Sequence, residues 1–299
     1  MIKERLTLEQ ELAFCEDYQN SRLSKKELII KHNITHWTFT SIREKHNISK
    51  RKRNAPSTNL LDLNERYFEN IDTNSKAYWL GFIAADGCIK KRNDGYENYI
   101  LSIGLSTKDL NHLEKFKKEI EAETPIIVEN CFHKKAQKYY ETAYLRVART
   151  IICEDLIKHG VGRNKSKELT LPNLPDNLMR HYIRGYFDGD GCWTINKENT
   201  LNFGIISSVE SFAIELREYI KSKCVLEHSV KISFNKNAYQ FIYGGNIQCK
   251  RIYDYLYEDG GPWLDRKYKK STEHFIDRGE SRLLNDLWDN LGGNNNYVE

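Results

Sequence analysis

At 299 residues and 39% apolar content, the chain is long enough for two packed units and a small appendage. No run approaches the roughly 18 apolar residues of a membrane span. The first ten residues hold no signal-peptide core, and the seven cysteines (15, 88, 131, 153, 192, 224 and 249) are too scattered for a zinc knuckle or disulfide framework. The expected setting is a reducing cytoplasm. Net charge is +4 but uneven: residues 1–54 carry 12 Lys/Arg against seven acids, a net of +5, which leaves −1 on the other 245. A basic terminal segment on a near-neutral body suggests a module that meets a polyanion.

Residues 1–50 read as a small all-α domain. Thr7 to Tyr18 opens on a cap, with Gln10 three residues after Thr7, and carries Leu8, Leu12 and Cys15 at helical spacing. Ser24-Lys25-Lys26-Glu27 is a capping box before Leu28, Ile29 and Ile30. Lys31 to Ile34 makes a turn, and a further helix runs from Thr35 to about His46. Short helices on a tight turn, with Ile34, Phe39 and Ile42 able to pack between them, predict a helix-turn-helix. The residues expected to face a groove are then Thr35, His36, Thr38, Ser41, Arg43 and Lys45; the competing reading is a protein-contact module. Residues 51–66 read as a polar linker broken by Pro56, and Arg51, Lys52 and Arg53 suit a phosphate backbone.

The rest of the chain repeats itself. Tyr78-Trp79-Leu80-Gly81-Phe82-Ile83-Ala84-Ala85-Asp86-Gly87-Cys88 aligns with Tyr182-Ile183-Arg184-Gly185-Tyr186-Phe187-Asp188-Gly189-Asp190-Gly191-Cys192 at an offset of 104 residues. After each copy come a short strand, an alternating strand (99–106; 201–207) and a helix from about Lys108 or Val209. A hairpin (126–149; 225–243), a second helix (151–159; 247–257) and a basic stretch (164–167; 266–269) complete each repeat. The expected fold is α+β: pseudo-symmetric αββαββα halves over 67–170 and 171–278, then a C-terminal helix and flexible tail over 279–299.

Read as a helix, each motif puts small residues four apart on one face, Gly81 with Ala85 and Gly185 with Gly189, so that two helix backbones can approach closely. Both helices stop at Asp-Gly, where glycine is expected in the left-handed conformation. An acid in a last helical turn opposes the macrodipole, and two such acids also repel each other. A divalent cation between them removes both costs, which makes Asp86 and Asp190 a metal site.

These decapeptides resemble the signature of two-repeat LAGLIDADG homing endonucleases, over roughly residues 75–275. The resemblance implies that the signature helices form the interface between halves and that two four-stranded sheets make a β-saddle over double-stranded DNA. It gives Asp86 and Asp190 to catalytic Mg²⁺, with Mn²⁺ able to substitute, and the carbonyls of Ala85 and Gly189 as further ligands. Ala84 and Asp188 hold an acidic signature position that binds no metal. Lys165 and Lys267 resemble the family's catalytic basic residues, with Lys167 and Lys269 as alternatives; a lysine here would polarise the phosphate or the attacking water. Gly104 and Ile205 fall where the family often has a polar water-organising residue, so that role passes to Ser106 and Ser207 or lapses.

Base and phosphate contacts are expected from Lys90, Lys91 and Arg92 in the first half and from Asn196, Lys197, Lys231, Ser233 and Asn235 in the second, with period-2 alternation deciding which face each side chain takes. The loop holding Lys134, Lys135 and Lys138 suits the DNA backbone. The leading expectation is a monomeric endonuclease, intron-encoded or free-standing, cutting both strands of a long asymmetric target and acting on DNA inside a cell, in a nucleoid or an organelle. The alternatives are a catalytically inactive DNA-binding regulator and an RNA maturase on the same scaffold.

Overall fold

The computed structural model describes residues 6–20, 25–48, 62–91, 99–133, 137–162 and 168–278. The chain divides into two compact units, Met1–Leu61 and Asp62–Glu299.

The first unit holds α1 (Leu8–Asn20), α2 (Lys25–Lys31) and α3 (His36–Lys45). Thr7 and Gln10 cap α1 reciprocally, each main-chain N–H donating to the other's side chain at 3.0 and 3.3 Å. Asn33 turns the chain at φ 47°, a left-handed conformation that asparagine tolerates. Phe14, Cys15, Tyr18, Leu28, Ile34, Phe39 and Ile42 form the core. Leu8 and Leu12 are exposed instead of buried: the inward face of α1 is set by the larger rings of Phe14 and Tyr18, both of which pack on Phe39.

The second unit contains both repeats. The first runs α4 (Asn74–Asp86), β1 (Gly87–Lys91), β2 (Tyr99–Ser106), a 3-10 turn (Thr107–Asp109), α5 (Leu110–Glu119), β3 (Ile127–His133), β4 (Lys138–Val147) and α6 (Thr150–Lys158). The second runs α7 (Asp176–Asp190), β5 (Gly191–Ile195), β6 (Leu201–Ser207), α8 (Glu210–Lys223), β7 (Ser233–Asn235), β8 (Ala238–Gly244) and α9 (Asn246–Tyr257), followed by α10 (Asp265–Arg278). The α+β fold and the doubled αββαββα order are as expected. Each antiparallel sheet has the strand order β1-β2-β4-β3 or β5-β6-β8-β7. One hydrophobic core joins both halves.

Residues 62–66 are not linker: Asn64 N–H donates to the Ile120 carbonyl at 2.8 Å, and Glu123 N–H to that of Asp62 at 3.0 Å. The second hairpin is shorter than expected. Its outer strand starts only at Ser233, because the preceding stretch is tied to helices: the Val225 carbonyl accepts from Arg251 at 2.8 Å and the Val230 carbonyl from Arg217 at 2.9 Å. Among the described residues no helix is long and apolar enough to cross a membrane. Arg51, Lys52, Arg53, Arg92, Lys134, Lys135, Lys165 and Lys167, and the tail over 279–299, lie outside the described residues.

Candidate active site

The centre of the second unit is the crossing of α4 and α7. A Cβ built on Gly81 would lie 1.9 Å from the Tyr182 carbonyl oxygen, and one on Gly185 would lie 1.9 Å from that of Tyr78. The two contacts are images of each other under the 104-residue offset. Nothing larger than hydrogen fits at either place. Around this seam Trp79, Phe82, Ile83, Ile183, Tyr186 and Phe187 are buried.

The crossing carries the helix ends together. A Cβ on Gly189 would sit 2.3 Å from that of Ala85 and 3.4 Å from the Asp86 carboxyl carbon, so Asp86 lies against the last turn of α7. Asp190 ends that turn and lies beside the Tyr186 phenol, which burial first, and then this carboxylate, hold above its ordinary pKa. The helix stops differ from expectation. Gly87 and Gly191 are extended, with φ −76° and −112°, and neither is left-handed. Glycine is required there for space: a Cβ would meet the carbonyl oxygens of Ile83 and Phe187 at 2.7 and 2.6 Å.

Lys267 reaches this centre from α10, and it does so as a helix cap. Its side chain is buried, with residue exposure of 4%. Nζ donates to the carbonyls of Phe187 and Asp188, each at 2.7 Å, to that of Gly191, and more distantly to that of Gly189 at 3.5 Å. Asp188 and Gly189 offer carbonyls of the last turn of α7 that lack an intrahelical partner, while the Phe187 carbonyl also accepts from the Gly191 N–H of the helix cap. Burial lowers the ammonium's pKa, while Asp188 and Asp86 act in the opposite sense. In this structure the Lys267 protons go to main chain, where the expectation was a phosphate or a water. Lys269 is exposed and pairs with Glu273 at 3.6 Å, so Lys267 is the lysine of this pair that belongs to the centre.

A buried polar network behind the acids has no counterpart in the sequence reading. Asp188 accepts from Tyr78 Oη and from Leu264 N–H, both at 2.8 Å, and burial pushes its pKa up to about 6. Because Tyr78 gives its proton to Asp188, His112 Nε2 donates to Tyr78 Oη at 3.0 Å. Arg184 donates to the Leu256 carbonyl at 2.6 Å and to His181 Nδ1 at 2.9 Å. The signal available for it was Arg184 itself, a charge where its twin is Leu80.

This network predicts acid lability. Burial, helped by Lys115, Arg266 and Lys267 and opposed by Asp265, lowers the His112 pKa from 6.5 to about 3. Above pH 6.5 its contribution is complete. As pH falls toward 3 the unfolded chain takes up a proton that the folded one refuses, and stability drops by up to about 1.4 kcal/mol per pH unit. His181, lowered to about 4, adds in the same direction. Asp188 acts oppositely, since its raised pKa removes stability as pH rises from 3.8 to about 6. His112→Gln should lose less stability than the parent between pH 6.5 and 4.5 in denaturant titrations. A difference independent of pH would refute the assignment.

The sheets each present an open face. Opposed pairs share a face, so Lys90, opposite Ile100, lies on the open face of the first sheet, and Lys91 falls on the other side. Lys138, opposite His133, and the β7 residues Ser233 and Asn235 also lie on open faces. Lys197 and Lys231 are exposed beyond strand ends, and Asn196 accepts from Thr200 N–H at 2.8 Å within its own turn. The water-organising roles are not supported: Ser207 is buried and caps Val209 N–H at 3.1 Å, and Ser106 accepts from Lys108 N–H at 3.4 Å. Ile205 is core, so Gly104 corresponds to Ile206, one residue on, and the Tyr144 ring covers Gly104.

In the first unit Thr35 caps α3, accepting from Thr38 N–H at 3.1 Å, and the two hydroxyls bond at 2.8 Å. His36 is exposed and Ser41 half-buried. Arg43 is turned to the Ile48 carbonyl at 3.1 Å, and Lys45 pairs with Glu11 at 2.7 Å. Trp37, which the sequence reading passed over, is 79% exposed.

No protein-family model matches the chain, and no curated protein matches it. Solved structures do resemble it. The homing endonuclease I-WcaI bound to its DNA recognition sequence is 17% identical with a TM-score of 0.48, over 68% of this chain and 91% of that one. The LAGLIDADG homing endonuclease I-LtrWI bound to target DNA is 15% identical with a TM-score of 0.44, over 79% and 100%. The meganuclease I-SmaMI bound to uncleavable DNA with a TTCT central four is 15% identical with a TM-score of 0.47, over 75% and 100%.

Proposed function

We propose that this chain is a site-specific DNA endonuclease of the LAGLIDADG homing type, acting as a monomer on both strands of a long asymmetric target with Mg²⁺ at Asp86 and Asp190. The observation that carries this reading is the reciprocal glycine seam, which places two Asp-Gly helix ends side by side. Close packing that delivers two acids to two helix C-termini is electrostatically unfavourable unless a cation is shared. The donor set fits a hard cation. Among the described residues no group of three or more His, Cys, Asp or Glu could hold a metal. Mg²⁺ is characteristically bound through one or two carboxylates together with substrate phosphate and water. The Ala85 and Gly189 carbonyls are the further ligands of choice.

Bound there, Mg²⁺ supplies Lewis acidity at the scissile phosphate. Asp86 and Asp190 hold it, and Lys267 keeps the end of α7 in register by gathering its carbonyls. The open sheet faces read base edges in the major groove, and strand-end cations meet phosphates. The first unit adds a helix-turn-helix contact at one end of the target.

The deciding experiment is incubation of the protein with duplex DNA from its own genetic neighbourhood and Mg²⁺, then Mn²⁺, with mapping of cut ends. Paired cuts at one locus support the reading. Binding without cuts makes the chain a regulator, and preference for RNA makes it a maturase. Deleting residues 1–54 should leave cleavage intact while the footprint shrinks at one end. The slope of log K against log salt should also fall by about 0.9 for each phosphate that the truncated protein no longer neutralises. An unchanged footprint and slope would instead assign the first unit to protein contact.

A further inference from the structure

The open faces of the two sheets differ in chemistry. We infer that the second half reads an A·T-rich half-site and that the G·C pairs of the target lie under the first half. The inference deepens the proposed endonuclease reading and rests on it.

Pairing fixes which side chains share each face. In the first sheet the open face runs through Cys88, Ser102 and Arg146, and through Lys90, Glu129 and Lys138. Three cations stand on it. Arg146 is held as a fork by Glu129, at 2.7 and 3.0 Å, with its guanidinium 4.5 Å over the Tyr144 ring. Lysine and arginine are the donors that suit guanine O6 and N7, and a glutamate accepts from cytosine N4.

In the second sheet the opposed sets are Cys192, Gly204 and Ile242, then Thr194, Asn202 and Gly244, then Ile206, Gln240 and Ser233. No lysine or arginine stands on this face among the described strands. Lys197, Lys231 and Lys236 of the second half lie in turns or beyond strand ends, a placement that suits backbone phosphates better than base edges. Ile206 and Ile242 are 41% and 46% exposed. They are diagonal neighbours on adjacent strands, close enough to form one apolar patch. The one apolar group a base pair offers in the major groove is the thymine methyl. Gln240 stands directly opposite Ile206, so an amide suited to adenine N6 and N7 adjoins a group suited to thymine. Glycines at 204 and 244 keep the face low beside them, as strands do where another molecule comes close.

The test is selection of duplexes by the full-length protein, without divalent metal, from a library partly randomised around the mapped cleavage site. Gln240→Ala should relax adenine preference by about 5- to 150-fold at one position, and Ile242→Ala should relax thymine at another, both in the same A·T-rich half. Lys90→Ala and Arg146→Ala should relax G or C in the other half. Gln240→Arg should turn its position from adenine to guanine. Two halves of equal G·C content, or relaxation of a G·C pair by Gln240→Ala, would overturn the inference while leaving DNA recognition standing. If no cleavage site can be mapped, the endonuclease reading fails and the inference falls with it; if a site is mapped but no duplex is enriched around it, the inference fails alone.

Discussion

Asp86→Asn or Asp190→Asn is expected to slow cleavage roughly a thousandfold or more, a loss of about 4 kcal/mol of transition-state stabilisation. Asparagine keeps the shape of the side chain at the helix end and removes the charge proposed to hold the cation. The fold should survive, since each acid opposes the dipole of its own helix and repels its partner. Binding should change little, because phosphate contacts elsewhere dominate affinity. Single-turnover cleavage and gel-shift affinity on the same duplex separate these effects. Equal reductions in both measurements would make the two carboxylates structural.

The second large effect is on stability. Gly81→Ala and Gly185→Ala each place a methyl 1.9 Å from a main-chain oxygen of the opposing helix. A helix backbone cannot yield as a flexible side chain does, so the seam must open. Overpacking of this kind costs about 1–3 kcal/mol and sometimes more; a seam of main chain against main chain belongs at the upper end. Melting should fall by about 6–12 °C for a unit of this size. The two substitutions open the same seam, so the double variant should lose less than the sum of the single losses. Cleavage should fall further than stability, because separating the helices also separates Asp86 from Asp190. A Gly81→Ala protein that melts with the parent would show that the helices do not cross at this glycine.

The doubled αββαββα order was legible because periodicity is a local property. Tyr99–Ser106 and Leu201–Ser207 alternate at the strand period, and the signature helices announce themselves by small residues four apart. The adjoining Asp-Gly helix ends were legible for the same reason, since the repeat supplied the partner of each. Three things were not. The strand faces of the second half depended on where β6 pairs: Ile103 opposes Gly87 whereas Ile205 opposes Gly191, an offset of 102 instead of 104 that moves the equivalent of Gly104 to Ile206. The place of Lys267 in the repeat was legible, but its target depended on how the 258–264 loop delivers α10 to the end of α7. The buried set of Tyr78, His112, Asp188 and Arg184 joins residues up to 110 positions apart. Hydrophobic period and helix stops act within a turn or two of chain and can be read along it. Register between strands and the partner of a buried charge are chosen by packing across the core, which only the folded chain brings together.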